Sequence, residues 1–167
     1  YDSDKVRFRK GFAEKIGGWV KFVSATFSGT TRKLHDWVTD SGSKYIGVGT
    51  NLKFYVNVGD GYNDVTPIRT TTVAGAVTFA ASTSSSTLAV TNTNHGAVVN
   101  DFVTYSGAVT LGGNITAAVL NQEYQITAIT NPNEYTITAK DTAGAIVTAN
   151  ALDTGNGGAA VVGEYQI

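Results

Sequence analysis

An all-β fold is predicted by three features of this 167-residue chain. Thr, Val, Tyr and Phe recur in short runs with period-two alternation, the pattern of half-buried strands. Gly, Asn, Asp and Ser clusters interrupt those runs at roughly 8–12-residue intervals, where tight turns are needed. Helical periodicity is weak throughout. The chain also changes character near Pro67. Residues 1–69 carry 11 Lys/Arg against 7 Asp/Glu and 11 of the 17 aromatics, whereas residues 70–167 carry 1 against 6. The expected architecture has two parts: an antiparallel, propeller-blade-like meander over 1–69 and a small β-barrel or sandwich module over 87–167. A crossing strand and loop over 70–86 joins them.

In the front segment, Val6 to Phe8 and Trp19 to Val23 read as short strands around the turn-rich stretch Lys10 to Gly18. Lys33 to Val38 forms the next strand, Asp40-Ser41-Gly42 turns the chain, and Lys44 to Val48 returns it. Gly49-Thr50-Asn51 then leads into Leu52 to Val58. Alternation there puts Leu52, Phe54, Val56 and Val58 on one face, and Lys53, Tyr55 and Asn57 on the other. Gly59-Asp60-Gly61 closes the run. A single blade leaves both faces and its edges to be covered by something else.

Thr70 to Ser86 is poor in charge and rich in Thr, Ala and Ser, which suits the crossing segment. Strand signals resume at Leu88 to Thr91, Asp101 to Tyr105, Glu123 to Ile129, Glu134 to Ala139, Ala145 to Thr148 and Ala159 to Val162. Asn131-Pro132-Asn133 makes a hairpin of the third and fourth, with Tyr124 expected to pack on Tyr135 across it. Ile115 to Leu120 is read as a short turn. Tyr165-Gln166-Ile167 reads as a strand cut off without its closing turn, and a chain with no Met does not start at Tyr1, so a longer parent subunit is expected.

The run from His95-Gly96 through Asp101-Phe102-Val103-Thr104-Tyr105-Ser106-Gly107, with Leu120 to Thr127 and Asn133 to Ile137, resembles a β module of phage tail proteins. The same pattern is similar to the first catalytic cysteine half-domain of ubiquitin-activating enzymes, from which only the small barrel-like β fold carries over. Arg7-Phe8-Arg9-Lys10-Gly11-Phe12 through Trp19, Leu34-His35-Asp36-Trp37, and Tyr45 through Val56 resemble the start of large virion proteins of short-tailed phages. The resemblance implies a tail subunit of the propeller-bearing nozzle type, located in the virion and working beside other copies of itself and neighbouring tail proteins.

Composition excludes several classes. The chain has no Cys, which removes disulfides and thiolate metal sites. No apolar run reaches the roughly 18 residues of a spanning helix, so no membrane insertion is expected. A net charge of −1 does not suit a dedicated nucleic-acid binder.

No catalytic, cofactor or metal residues are expected. His35 and Asp36 are strand neighbours and point to opposite faces, and His95 precedes Gly96 in a turn. Gly47-Val48-Gly49-Thr50-Asn51 lacks the third Gly of a dinucleotide loop and leads into a strand. Asp60-Gly61-Tyr62-Asn63-Asp64 has a Tyr where a calcium loop needs a ligand. The candidate interface is Arg7, Phe8, Arg9, Lys10 and Phe12 with Trp19 and Trp37: a basic, aromatic strip for pairing with an acidic neighbouring subunit, or for non-specific contact with DNA in a channel. The reading is a non-enzymatic structural protein assembling as a ring or tube in a phage tail. The rival is a β-sandwich adhesin that binds glycan through Tyr55, Tyr62 and Trp37.

Overall fold

A computed structural model describes residues 6–15, 23–59 and 61–166. The expected strand Trp19 to Val23 falls almost entirely outside them. In the front segment, β1 (Val6–Arg9) and β2 (Phe12–Lys15) form a two-stranded hairpin. Lys10 and Gly11, at φ 51° and 83°, supply the two left-handed residues that a two-residue hairpin turn requires. The stretch read as a turn from Lys10 to Gly18 therefore holds a second strand.

The blade-like meander is an antiparallel four-stranded sheet in chain order: β3 (Thr31–Val38), β4 (Lys44–Thr50), β5 (Phe54–Asn57) and β6 (Tyr62–Asp64). Its buried face is the one with the more polar sequence. Lys53, Tyr55 and Asn57 are buried, whereas Phe54 and Val58 are exposed. Each buried polar group is satisfied, which is what permits this inversion. The Tyr55 hydroxyl accepts from the Ser28 amide at 3.1 Å, and Asn57 Nδ2 donates to Gly61 O at 2.8 Å. Phe27 covers Tyr55 and Tyr62, with ring centroids at 5.6 and 4.8 Å.

The back segment is a sandwich of two four-stranded sheets, with no closed barrel. One sheet runs β11 (Glu123–Gln125), β10 (Phe102–Ser106), β14 (Val162–Gln166), β7 (Ile68–Thr71). The other runs β12 (Ala128–Asn131), β13 (Glu134–Thr138), β9 (Thr87–Thr91), β8 (Thr78–Ala81). Inward residues of both sheets make one core that includes Val77, Phe79, Leu88, Val90, Tyr105, Tyr124, Ile137 and Tyr165. Burial of such side chains, at about 1.5–3 kcal/mol for a large apolar one, is the main force holding the sheets together.

Several sequence expectations change here. Residues 70–86 are not a crossing segment, because β7 pairs with β14 and β8 with β9, so this stretch supplies strands to both sheets. Glu123 to Ile129 is two strands, β11 and β12, and the chain passes from one sheet to the other around the buried Ile126. Tyr124 and Tyr135 therefore sit on opposite sheets, and Tyr135 faces Ile129 across the hairpin instead. Ala145 to Thr148 makes only a bridge, Lys140 to Ile146, and the last strand begins at Val162 instead of Ala159. Ile115 to Leu120 contains a one-turn helix, α1 (Ala117–Leu120), capped by the Thr116 side chain accepting from the Val119 amide.

Candidate functional site

The candidate interface residues fall in two places. On the β1–β2 hairpin, Arg7 faces Glu14, Phe8 faces Ala13 and Arg9 faces Phe12. This register puts Phe8 on one face of the ribbon and Phe12 on the other. Both rings are about three-quarters exposed, at 75% and 76%. Arg7 Nε is paired with Glu14 at 3.1 Å, leaving Arg9 and the turn residue Lys10 to make the ribbon basic. Among the described residues, β1 and β2 pair with no strand but each other. Trp19 lies outside the described residues.

Trp37 belongs to a separate cluster on β3. His35 and Trp37 stack with centroids 5.9 Å apart, and Trp37 and its cross-strand partner Tyr45 stack at 5.5 Å. The Trp37 ring leans over Gly47, where a Cβ would come within 3.2 Å of it. Phe54 covers Gly49 in the same manner. Between these rings runs a shallow apolar groove of about 280 Å³. Of the aromatics considered for glycan binding, Tyr55 is buried and Tyr62 is half-buried against Phe27, so Trp37, 37% exposed, is the most open of the three.

The histidines have structural partners. His35 stacks on Trp37, and Asp36 is on the opposite face of the strand, as the alternation requires. His95 is buried. Its Nδ1 accepts from the Ala97 amide at 3.0 Å, so its proton sits on Nε2 and is donated to Asn131 O at 3.1 Å. Gly47 to Thr50 lies within β4.

Three polar constellations were not visible in the sequence. Lys53, 3% exposed, reaches Asp64 at 2.6 Å and Glu123 at 2.5 Å, and its ammonium sits 4.4 Å from the centre of the Phe102 ring. It joins the front sheet to the sandwich. Burial alone would lower the Lys53 pKa, but the two carboxylates outweigh it and hold the pKa above its ordinary value. Asp153 accepts four backbone amides, from Gly113, Asn114, Ile115 and Asn150, at 2.8–3.1 Å. Burial pushes its carboxyl up, and these four donors more than offset that, leaving its pKa below the usual range. The third is a row of buried hydroxyls. Tyr105 and Tyr135 are 2.7 Å apart, Tyr135 and Tyr165 2.8 Å, and the Tyr165 hydroxyl donates to Asn92 Oδ1 at 3.2 Å. Burial, first of all, pushes the Tyr135 phenol far above its ordinary value. The one signal that could have found the first of these is a Lys set between Leu52 and Phe54 in an apolar run.

No family model matches the chain, and no curated protein matches it. Among solved structures it is similar to phage phi92 endosialidase, with a TM-score of 0.35 and 13% identity over 78% of this chain. The chain spans 27% of that protein. At this distance the likeness says nothing of activity. No described helix is long and apolar enough to cross a membrane.

Proposed function

We propose that this chain is a non-enzymatic structural component of a phage virion, assembling with other copies of itself into a ring or tube of the tail. The observation that carries the reading is the β1–β2 hairpin. A two-stranded ribbon is marginal in water by itself, and this one exposes a phenylalanine on each face. One surface could cover only one of those rings. A ribbon lying between two neighbouring subunits buries both, which is the heterologous contact from which rings are built. Its charge suits the partner: Arg9 and Lys10 are basic, and residues 70–167 carry a net charge of −5. The resemblance of Arg7 to Trp19 to the start of short-tailed-phage virion proteins supports the same reading, with neighbouring tail proteins or DNA in a channel as further contacts.

The test is light scattering on the native assembly together with mass spectrometry of the denatured subunit. The expected result is a complex of many copies, lost in the double variant Phe8→Ser/Phe12→Ser. A stable monomer of 17.5 kDa with both rings protected from solvent would overturn it. The second reading, an adhesin, is favoured by the stack of His35 and Trp37 with the half-buried Tyr45 beside it, since aromatic faces take sugar rings. It requires retention on a glycan array that Trp37→Ala abolishes.

A further inference from the structure

The outer edge of β3 offers a second kind of contact. All eight residues of this strand are exposed, so both its faces and its edge meet solvent. It ends the sheet, and no described strand pairs with that edge. The Thr39 amide donates to Ser43 O, and Thr39 O accepts from the Gly42 amide, so Thr39 turns its backbone groups toward β4. Alternation then turns those of Leu34, Asp36 and Val38 outward. At the other end the register shifts between Thr31 and Lys33, so Arg32 is the extra residue of a bulge that ends the flat stretch.

We infer that β3 pairs antiparallel with β3 of a second copy, joining the two four-stranded sheets into one, with the two-fold axis at Leu34. Charge selects this register. In an antiparallel pair, outward-pointing residues must meet outward-pointing residues of the same face. Centring the axis on Asp36 would set Asp36 against Asp36, which is unfavourable. Centring it between Leu34 and Asp36 buries a carboxylate against a leucine. Centring it on Leu34 brings Asp36 of each copy to the bulged Arg32 of the other, within reach of its long side chain, twice, and brings the two Leu34 side chains, each 61% exposed, into contact. Charges on an edge strand ordinarily keep other strands away. Here they have opposite signs four residues apart, so a reversed copy of the same strand meets each with its complement. The contact is isologous, unlike the hairpin contact, and does not depend on the tail reading.

The chain has no cysteine, so single thiols report the pairing cleanly in the full chain. Leu34→Cys is expected to form a covalent dimer under mild oxidation. Val38→Cys, which in this register lies past the bulge of the second copy, is expected to remain largely monomeric. In sedimentation, Asp36→Arg is expected to weaken self-association roughly tenfold or more by opposing two arginines, and Arg32→Asp/Asp36→Arg to restore it. Equal cross-linking at positions 34 and 38, or an unchanged association constant for Asp36→Arg, would overturn the inference. So would a monomer whose Leu34 and Asp36 amides exchange slowly, because then the edge is already covered within one chain.

Discussion

The hydroxyl row in the sandwich core has a direction, and that direction ranks three conservative substitutions. Asn92 Nδ2 donates to Ala76 O at 3.0 Å, which fixes Oδ1 as the acceptor facing Tyr165. Tyr165 must therefore donate to Asn92, Tyr135 to Tyr165, and Tyr105 to Tyr135. Tyr105→Phe removes the first donor and leaves every remaining hydroxyl with an acceptor, so its cost is that of one ordinary hydrogen bond, about 0.5–1.5 kcal/mol. Tyr135→Phe leaves the Tyr105 O–H buried at 1% exposure with no acceptor and takes a donor from Tyr165. An orphaned buried donor adds about 1–3 kcal/mol, giving roughly 2–4 kcal/mol in all. Tyr165→Phe falls in the same range, since it orphans Tyr135. No ring volume is removed, so cavity terms do not blur the comparison. Urea unfolding followed by far-UV circular dichroism measures the three differences. If Tyr105→Phe proves as costly as Tyr135→Phe, the assigned direction is wrong.

Alkaline unfolding should be steep. The buried phenols of Tyr105, Tyr124, Tyr135 and Tyr165 all have raised pKa values, chiefly through burial. Their stabilising effect is complete below the unfolded value near 10 and is lost as pH climbs above it, by about 1.4 kcal/mol per pH unit per tyrosine; a stability flat to pH 11 would contradict this. Asp153→Asn keeps a single acceptor oxygen for four amides and should cost about 2–3 kcal/mol, read by thermal melting. Gly107→Ala should be worse than Gly47→Ala. Its φ is +73° and the new Cβ would lie 2.3 Å from the backbone oxygen of Ala160, whereas at Gly47 the neighbour is the outer edge of the Trp37 side chain at 3.2 Å. Lys53→Met should destabilise by about 1–2 kcal/mol, because Asp64 and Glu123 are partly solvated and can rehydrate; chemical denaturation checks it.

The parts of the fold legible in the sequence were those where alternation and turn chemistry agree. Asn131-Pro132-Asn133 with Tyr135 and Ile137 alternating beyond it gave the β12–β13 hairpin, and Asp40-Ser41-Gly42 gave β3–β4. The passage from β11 to β12 was hidden because both sheets face the same core. Tyr124 and Ile126 point inward before the corner and Ile129 packs against the core after it, while Ala128, the next place in the alternation, is exposed; because Ala128 is apolar, the sequence pattern looked continuous and hid the shift. In 70–86 the inward residues Val77 and Phe79 are diluted by Thr and Ala, and the stretch looked like a connection. At β5, hydrophobicity pointed to the wrong face. What makes Lys53 and Asn57 buriable is a set of partners up to 70 residues away, and no local pattern carries that. The candidate interface was half legible: basic and aromatic residues marked the hairpin, while the grouping of Trp37 with His35 and Tyr45 required the register of β3 on β4.

The Lys53 ion cluster gives the two halves a second point of attachment. The first is covalent, the short run 65–67 between β6 and β7. A body held at one point can swing in any direction, but one held at two can only rotate about the line through both. Lys53 therefore acts as a strut beside a hinge. Load applied to the meander would reach the sandwich through Phe102 and Glu123, on the outer face of the β10–β11 pair.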